Sequence, residues 1–297
     1  MNVLSLFDGM SCGQIALNRA EIKYDNYFAS EIEQSAINVT QKNYPDTIQL
    51  GDVTKWQEWN LPKIDLLIGG SPCQGFSFAG KQLNFEDIRS KLFFEFVEVL
   101  KHYKPKYFLL ENVKMKKEHE QVITSYLNVE PILINSARVT AHDRKRLYWT
   151  NIQGVTQPED RNIYLKDILD LETDTNLFLR KEISDRFNPT INYVPNNKKS
   201  CVVGKLSNYQ GDRVFDIDCK ASSLSASGGN NGGGGCNIII DPLTKKLRKL
   251  SVTECERLQG VPNGYMEGFK QNAMYKALGN GWTVDVIVHI LNGMEAV

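Results

Sequence analysis

Through the first half of the chain, short apolar runs rich in β-formers alternate with segments whose apolar residues recur at helical spacing. Val3-Leu4-Ser5-Leu6-Phe7 reads as a buried strand and Gly13 to Ala20 as a helix. Tyr24 to Ser30 predicts a second strand and Glu31 to Asn43 a second helix. Ile64-Asp65-Leu66-Leu67-Ile68 is a strong central strand ending at Gly69-Gly70. Leu92, Phe93, Phe96, Val97 and Leu100 then fall on one helical face, with Lys91, Glu95, Glu98 and Lys101 opposite. A further apolar run, Tyr107 to Leu110, ends at Glu111. Strands alternating with helices at this interval imply right-handed crossovers and a mostly parallel sheet covered on both faces, an α/β doubly wound architecture. In open sheets of this kind ligands bind beyond the carboxyl ends of the strands. Phe7-Asp8-Gly9, Glu31, Ser71-Pro72-Cys73 and Glu111-Asn112 all fall at such ends.

The pattern changes after about Asn151. Residues 154–244 are polar and irregular, with a turn signal at Pro195-Asn196-Asn197 and a glycine-rich run, Ser227 to Gly235. Helical order returns at Ser251-Val252-Thr253-Glu254, where Ser251 and Glu254 fit a capping box. A last apolar stretch, Val284 to Leu291, follows. The expected organisation is a discontinuous large domain, residues 1–153 plus 245–297, interrupted by a smaller domain at 154–244.

Composition narrows the function classes. The 297 residues are 41% hydrophobic and 24% charged, which excludes disordered and fibrous chains. Lys+Arg and Asp+Glu are both 35, so any nucleic-acid face must arise from local segregation of charge. Segregation exists: residues 1–100 hold 8 basic and 13 acidic side chains, leaving 27 basic and 22 acidic in the rest. No run approaches the roughly 18 apolar residues of a membrane span, and Asp8 interrupts the first apolar stretch. Six scattered cysteines without a CxxC pair predict a reducing cytoplasm, no disulfide scaffold and no metal site.

Individual residues then acquire candidate chemistry. The turn Phe7-Asp8-Gly9-Met10-Ser11-Cys12-Gly13 lets backbone N–H groups approach a nucleotide-like ligand, although any tight βα turn needs glycine. It lacks the GxGxxG pattern, which disfavours a pyrophosphate cofactor and a nicotinamide-dependent oxidoreductase. Glu31 can accept ribose hydroxyls, or be a solvated acid at a helix start. Asp52, after Gly51, can accept an amino proton or simply close a turn. Cys73 is different. Between Pro72 and Gly75, beyond Gly69-Gly70, it sits where an accessible nucleophile is held, not where core cysteines sit.

With these residues in hand the chain resembles the DNA (cytosine-5)-methyltransferases, bacterial or phage type, over nearly its whole length. The resemblance rests on ordered motifs: Phe7-Asp8-Gly9, Glu31, Asp52-Val53, Ser71-Pro72-Cys73-Gln74-Gly75-Phe76-Ser77, Glu111-Asn112-Val113, Arg144-Lys145-Arg146, Arg257-Leu258-Gln259-Gly260-Val261-Pro262 and Gly279-Asn280. It implies a Rossmann-like catalytic domain, S-adenosyl-L-methionine as cofactor, and double-stranded DNA as partner, with a cognate restriction endonuclease acting separately. Cys73 would add to C6 of a flipped cytosine, Glu111 would protonate N3, and Arg146 would hold O2, supported by Arg144. Burial at the end of an apolar strand would favour the protonated acid at Glu111. Phe7, Gly9, Glu31, Asp52, Pro72, Leu92 and Asn280 would contact the cofactor, with Leu92 equally readable as core packing. Residues 154–244 would recognise the target sequence. Lys245, Lys246, Arg248 and Lys249 read either as phosphate contacts or as a solvated basic loop.

The chain departs from the family pattern at Ser11-Cys12, at Ser71 where proline is usual, at His142 before Arg-x-Arg, and at Ser223-Leu224. Two other readings compete. A tRNA cytosine-5 methyltransferase of the same superfamily carries a Cys-Phe-Thr signature that this sequence lacks. A catalytically silent DNA-binding regulator would tend to lose the cysteine or the acid, and both are present.

Overall fold

The computed structural model describes residues 1–71, 88–191, 193, 201–226 and 237–295. The chain forms two compact units, one made of residues 1–135, 145–158 and 286–297, the other of 136–144 and 159–285.

The first unit alternates strand and helix: β1 (Asn2–Leu6), α1 (Cys12–Arg19), β2 (Asn26–Ser30), α2 (Gln34–Asn43), β3 (Ile48–Gln49), β4 (Leu66–Gly69), α3 (Ile88–Tyr103), β5 (Tyr107–Val113), α4 (Lys117–Leu127) and β6 (Ile132–Asn135). After β7 (His142–Asp143), which belongs to the second unit, β8 (Lys145–Thr150) returns to the sheet. Seven strands lie in the order β3-β2-β1-β4-β5-β8-β6. The first five are mutually parallel, while β8 runs antiparallel between β5 and β6. The doubly wound, mostly parallel expectation holds.

The physical reason is burial on both faces. Val3, Leu4 and Leu6 of β1, and Leu66, Leu67 and Ile68 of β4, are all buried, so neither strand shows the alternation of a half-exposed sheet. Phe93, Phe96 and Val97 of α3 pack into the same core as Leu4, Leu67 and Trp149. Each such side chain stabilises the fold by about 1.5–3 kcal/mol. The indole N–H of Trp149 finds its one partner in Thr124 Oγ1 at 3.0 Å, fixing α4 on β8. The predicted strand at Tyr107 runs three residues past Leu110, because Glu111 and Asn112 find polar partners inside the structure.

The second unit holds the short strands β9 (Asn188–Pro189), β10 (Val202–Lys205), β11 (Arg213–Phe215), β12 (Ala221–Ser222), β13 (Ile238–Ile240) and β14 (Leu247–Lys249). Five of them form a sheet in the order β14-β13-β11-β10-β9. Its small core comprises Leu206, Val214, Ile238 and Leu247, with Ile183 of the single-turn helix α5 (Lys181–Ser184) and Phe187 against it. Two helices follow, α6 (Val252–Gln259) and α7 (Gln271–Asn280). The capping box at the start of α6 is present: Ser251 Oγ accepts from the Glu254 N–H at 3.0 Å, and Glu254 Oε2 accepts from the Ser251 N–H at 2.7 Å. Residues 245–285 group with this unit, and α8 (Val284–Leu291) crosses its boundary with the first. The turn at 195–197 and the glycine run lie outside the described residues.

Candidate active site

The parallel strands β1, β2, β4 and β5 end at one edge of the sheet, and their register fixes what gathers there. The turn after β1 is built from left-handed residues, Phe7 at φ 58°, Gly9 at φ 60° and Ser11 at φ 63°. For the two residues with side chains this costs roughly 1–2 kcal/mol each, so the turn persists only because its surroundings over-determine it. Two acids contribute. Glu31 Oε2 accepts from the Gly9 N–H at 2.8 Å, while Oε1 accepts from the N–H groups of Ile32 and Glu33 at 2.8 Å each. Asp8 Oδ1 accepts from the Tyr27 hydroxyl at 2.8 Å, and the Asp8 N–H donates to the Ser30 carbonyl at 3.1 Å. Burial pushes the Asp8 carboxyl up to about 6, against the Tyr27 hydrogen bond and the nearby hydroxyls of Ser5 and Ser11, which pull it down. Tyr27 is pushed up by the same burial and by the negative Asp8 beside it.

At Gly9 the backbone is open, as it also is at Gly51, Gly154 and Gly268. A Cβ built there would meet nothing within 4 Å, so the backbone faces open space. A side chain at that φ would still be strained. Phe7 and Leu92 are partly buried and pack on the central core. Asp52 caps a short 3-10 helix, Val53–Glu58, through its Oδ1, which accepts from the Thr54 N–H at 2.9 Å. The Ser30 hydroxyl donates to the Gly51 carbonyl at 2.7 Å, tying the Asp52 loop to the end of β2.

At β5 the acid meets its cation. Arg146 Nε lies 3.0 Å from Glu111 Oε1, with the two side chains 17% and 11% exposed. Arg146 opposes Val113 across the β5–β8 pair and Tyr148 opposes Glu111, so Glu111 and Arg146 are diagonal neighbours on one face. The buried position expected for Glu111 thus comes with a cation against it. Arg146 Nη1 also donates to the Lys145 carbonyl at 2.9 Å. These bonds use two of the roughly five N–H donors of a guanidinium. Pro72 and Cys73 lie outside the described residues.

Arg144 and Asn280 belong to the second unit. The Arg144 guanidinium is buried and donates to Ser223 Oγ at 2.9 Å and to the carbonyls of Leu224, Gly279 and Gly281 at 3.4, 3.3 and 2.9 Å. It clasps two backbone segments, an arrangement that directs its fork at the protein's own carbonyls. Asn280 is exposed at the end of α7. His142 is buried with Nε2 3.2 Å from Thr283 Oγ1, and the same hydroxyl accepts from Ser136 at 2.9 Å and donates to Gln259 Oε1 at 3.1 Å.

Arg248 overturns both readings of the basic cluster at its own position. It is fully buried, with Nε 2.9 Å from Asp241 Oδ2 and its two terminal nitrogens 2.8 and 2.9 Å from the Glu254 oxygens. Lys245 and Lys246 are exposed, as a solvated loop requires. Sequence reasoning also missed Tyr27 and the Asp8 side chain. The signal available was an acid in an otherwise apolar strand end.

Residues 1–296 match the family described as C-5 cytosine-specific DNA methylase. The type II methyltransferase M1.ScrFI of Lactococcus lactis subsp. cremoris is 30% identical over 98% of this chain and 77% of its own length. The type II methyltransferase M.HhaI of Haemophilus parahaemolyticus is 29% identical over 98% of this chain and 93% of its own length. Among solved structures, the Entamoeba histolytica methyltransferase EhMeth superposes with a TM-score of 0.74 at 17% identity, covering 99% of this chain and 97% of that one. No helix among the described residues is long and apolar enough to cross a membrane.

Proposed function

The chain belongs to the C-5 cytosine-specific DNA methylase family, and from that premise we propose how its own residues carry out methylation of cytosine C5 in DNA. Cytosine C5 is a poor nucleophile. Addition of the Cys73 thiolate to C6 would push the ring electrons toward N3 and make C5 enamine-like. The proton that N3 then needs would be relayed by Glu111, taken up from solvent when the base binds, and the Glu111–Arg146 contact, which orients that carboxyl, is the observation that carries this reading. A guanidinium held 3.0 Å from the acid orients its carboxyl and keeps further donors for the carbonyl O2 of the base. When C5 has taken its methyl group, solvent water would accept the C5 proton, the Cys73 sulfur would leave as thiolate, and return of the N3 proton to Glu111 would restore the ring. The target base must leave the stack to reach these groups.

S-adenosyl-L-methionine supplies the methyl as an electrophile on a sulfonium. The residues present fit it: open space faces Gly9, and Glu31 has one of about four carboxylate acceptor positions beyond the three N–H bonds it makes. Phe7 and Asp52 stand at the neighbouring strand ends, and we assign Gly9, Glu31, Phe7, Asp52, Pro72, Leu92 and Asn280 to holding the cofactor. We assign residues 154–244 to reading the target sequence. Arg144 would act by fixing the backbone around Ser223 and Gly279. A restriction endonuclease of matching specificity is a proposed partner, and a reducing cytoplasm the proposed site of action.

The test is a duplex carrying 5-fluorocytosine at the target position. The fluorine cannot leave as a proton does, so cofactor and protein together should trap a covalent adduct, and Cys73→Ser should form none. Recovery of free protein and DNA alone, or methyl transfer by Cys73→Ser, removes Cys73 from its role.

A further inference from the structure

Strands β4 and β5 pair in parallel up to the rung that sets Gly69 against Leu110. The next positions of like orientation are Ser71 and Asn112. Pro72 follows Ser71 in sequence and has no N–H to continue a ladder. At this fork a side chain takes over from the main chain. Asn112 Nδ2 donates to Ser71 Oγ at 3.1 Å and to the Ser71 carbonyl at 3.3 Å. The Val113 N–H donates to Asn112 Oδ1 at 2.8 Å, which fixes the amide's orientation, since only its oxygen can receive that bond. Asn112 and Ser71 are 1% and 5% exposed, so these bonds do not compete with bulk water.

The Ser71 hydroxyl is held by that amide, so the last described residue before the Pro72-Cys73 segment is fixed by a side-chain bond as well as by the strand. We propose that Ser71 and Asn112 form a positioning pair for methyl transfer, fixing the point from which the Pro72-Cys73 segment departs. It rests on the assignment of Cys73 as nucleophile, two residues along the chain. Displacement of a reacting group by an ångström can cost about a hundredfold in rate, so a bond at this position acts on chemistry more than on ligand affinity.

The experiment follows adduct formation on the 5-fluorocytosine duplex at saturating DNA and cofactor, with cofactor affinity measured separately by calorimetry. Ser71→Ala should slow the first-order adduct step about five- to tenfold, with the cofactor Kd within about twofold of the parent. Ser71→Thr, which keeps the hydroxyl, should recover most of the rate. Asn112→Ala combined with Ser71→Ala should be no slower than Asn112→Ala alone, because the two share one interaction. An unchanged rate in Ser71→Ala overturns the proposal. So does a rate loss matched by an equal loss of cofactor affinity, or one that threonine does not restore. Cys73→Ser separates the two claims: an adduct formed by that variant would refute the nucleophile assignment whatever Ser71 does.

Discussion

Two carboxylates at the strand ends sit in different surroundings. Asp8 is enclosed with no cation paired to it among the described residues, and burial raises it from 3.8 to about 6. Between those values the folded protein binds more protons than the unfolded chain, so stability falls as pH rises through that window. The penalty is fully present at pH 7 and amounts to roughly 3 kcal/mol. Asp8→Asn keeps an acceptor for Tyr27 and removes the buried charge. Thermal denaturation should find this variant more stable than the parent at pH 7, with the difference vanishing toward pH 4. A gap that is constant with pH would show that Asp8 does not titrate there. Glu111 has Arg146 instead. Glu111→Gln preserves a hydrogen bond to the guanidinium but gives up the transferable proton, so single-turnover methyl transfer by the folded protein should drop by about 10²–10⁴, beyond what a lowered melting temperature from the lost charge pair accounts for. Retention of full turnover would remove Glu111 from proton transfer.

Among elements, a buried charge cluster joins β14 to α6. Arg248 leaves β14 fully buried between Asp241 and Glu254, and Glu254 also closes the cap of α6 and accepts from the Asp170 N–H at 2.9 Å. Removing one partner of a buried pair strands the other charge, at a cost of about 3–5 kcal/mol. Glu254→Gln should therefore lower the denaturant midpoint sharply, and a change below about 1 kcal/mol would mean that the cluster is effectively solvated. How much of this was legible follows from length and burial. Strands β1, β4 and β5 and helix α3 could be read because core strands give unbroken apolar runs and an amphipathic helix gives a 3.6 period. Strands of two to four residues, such as β9, β10 and β11, are too short to display alternation, and their pairing is set by the local core at Val214 and Ile238. Glu111 was legible as an acid but not as an ion pair, because Arg146 lies 35 positions away in sequence. Arg248 was hidden by Lys245, Lys246 and Lys249, whose company suggested solvent.

At the scale of the whole molecule, a formal net charge of zero means that attraction to DNA must come from cations placed locally, since there is no basic coat to supply it. The basic run near residue 248 separates two kinds of cation that sequence treats alike. Lys245 and Lys246 are exposed and available to phosphate, whereas Arg248 already has both its acids. Neutralising a phosphate releases counterions, so each such contact contributes about −0.9 to the slope of log K against log salt. Lys245→Ala and Lys246→Ala should each reduce the magnitude of that slope by about 1 and weaken binding to target and non-target duplexes alike. Arg248→Ala should leave the slope of the folded fraction unchanged and appear as lost stability. Titrations of fluorescent duplexes between 50 and 200 mM salt would decide it. A slope unmoved by either lysine would return both to a solvated loop, and the excess of base over acid beyond residue 100 would then have to act through other side chains of the same region.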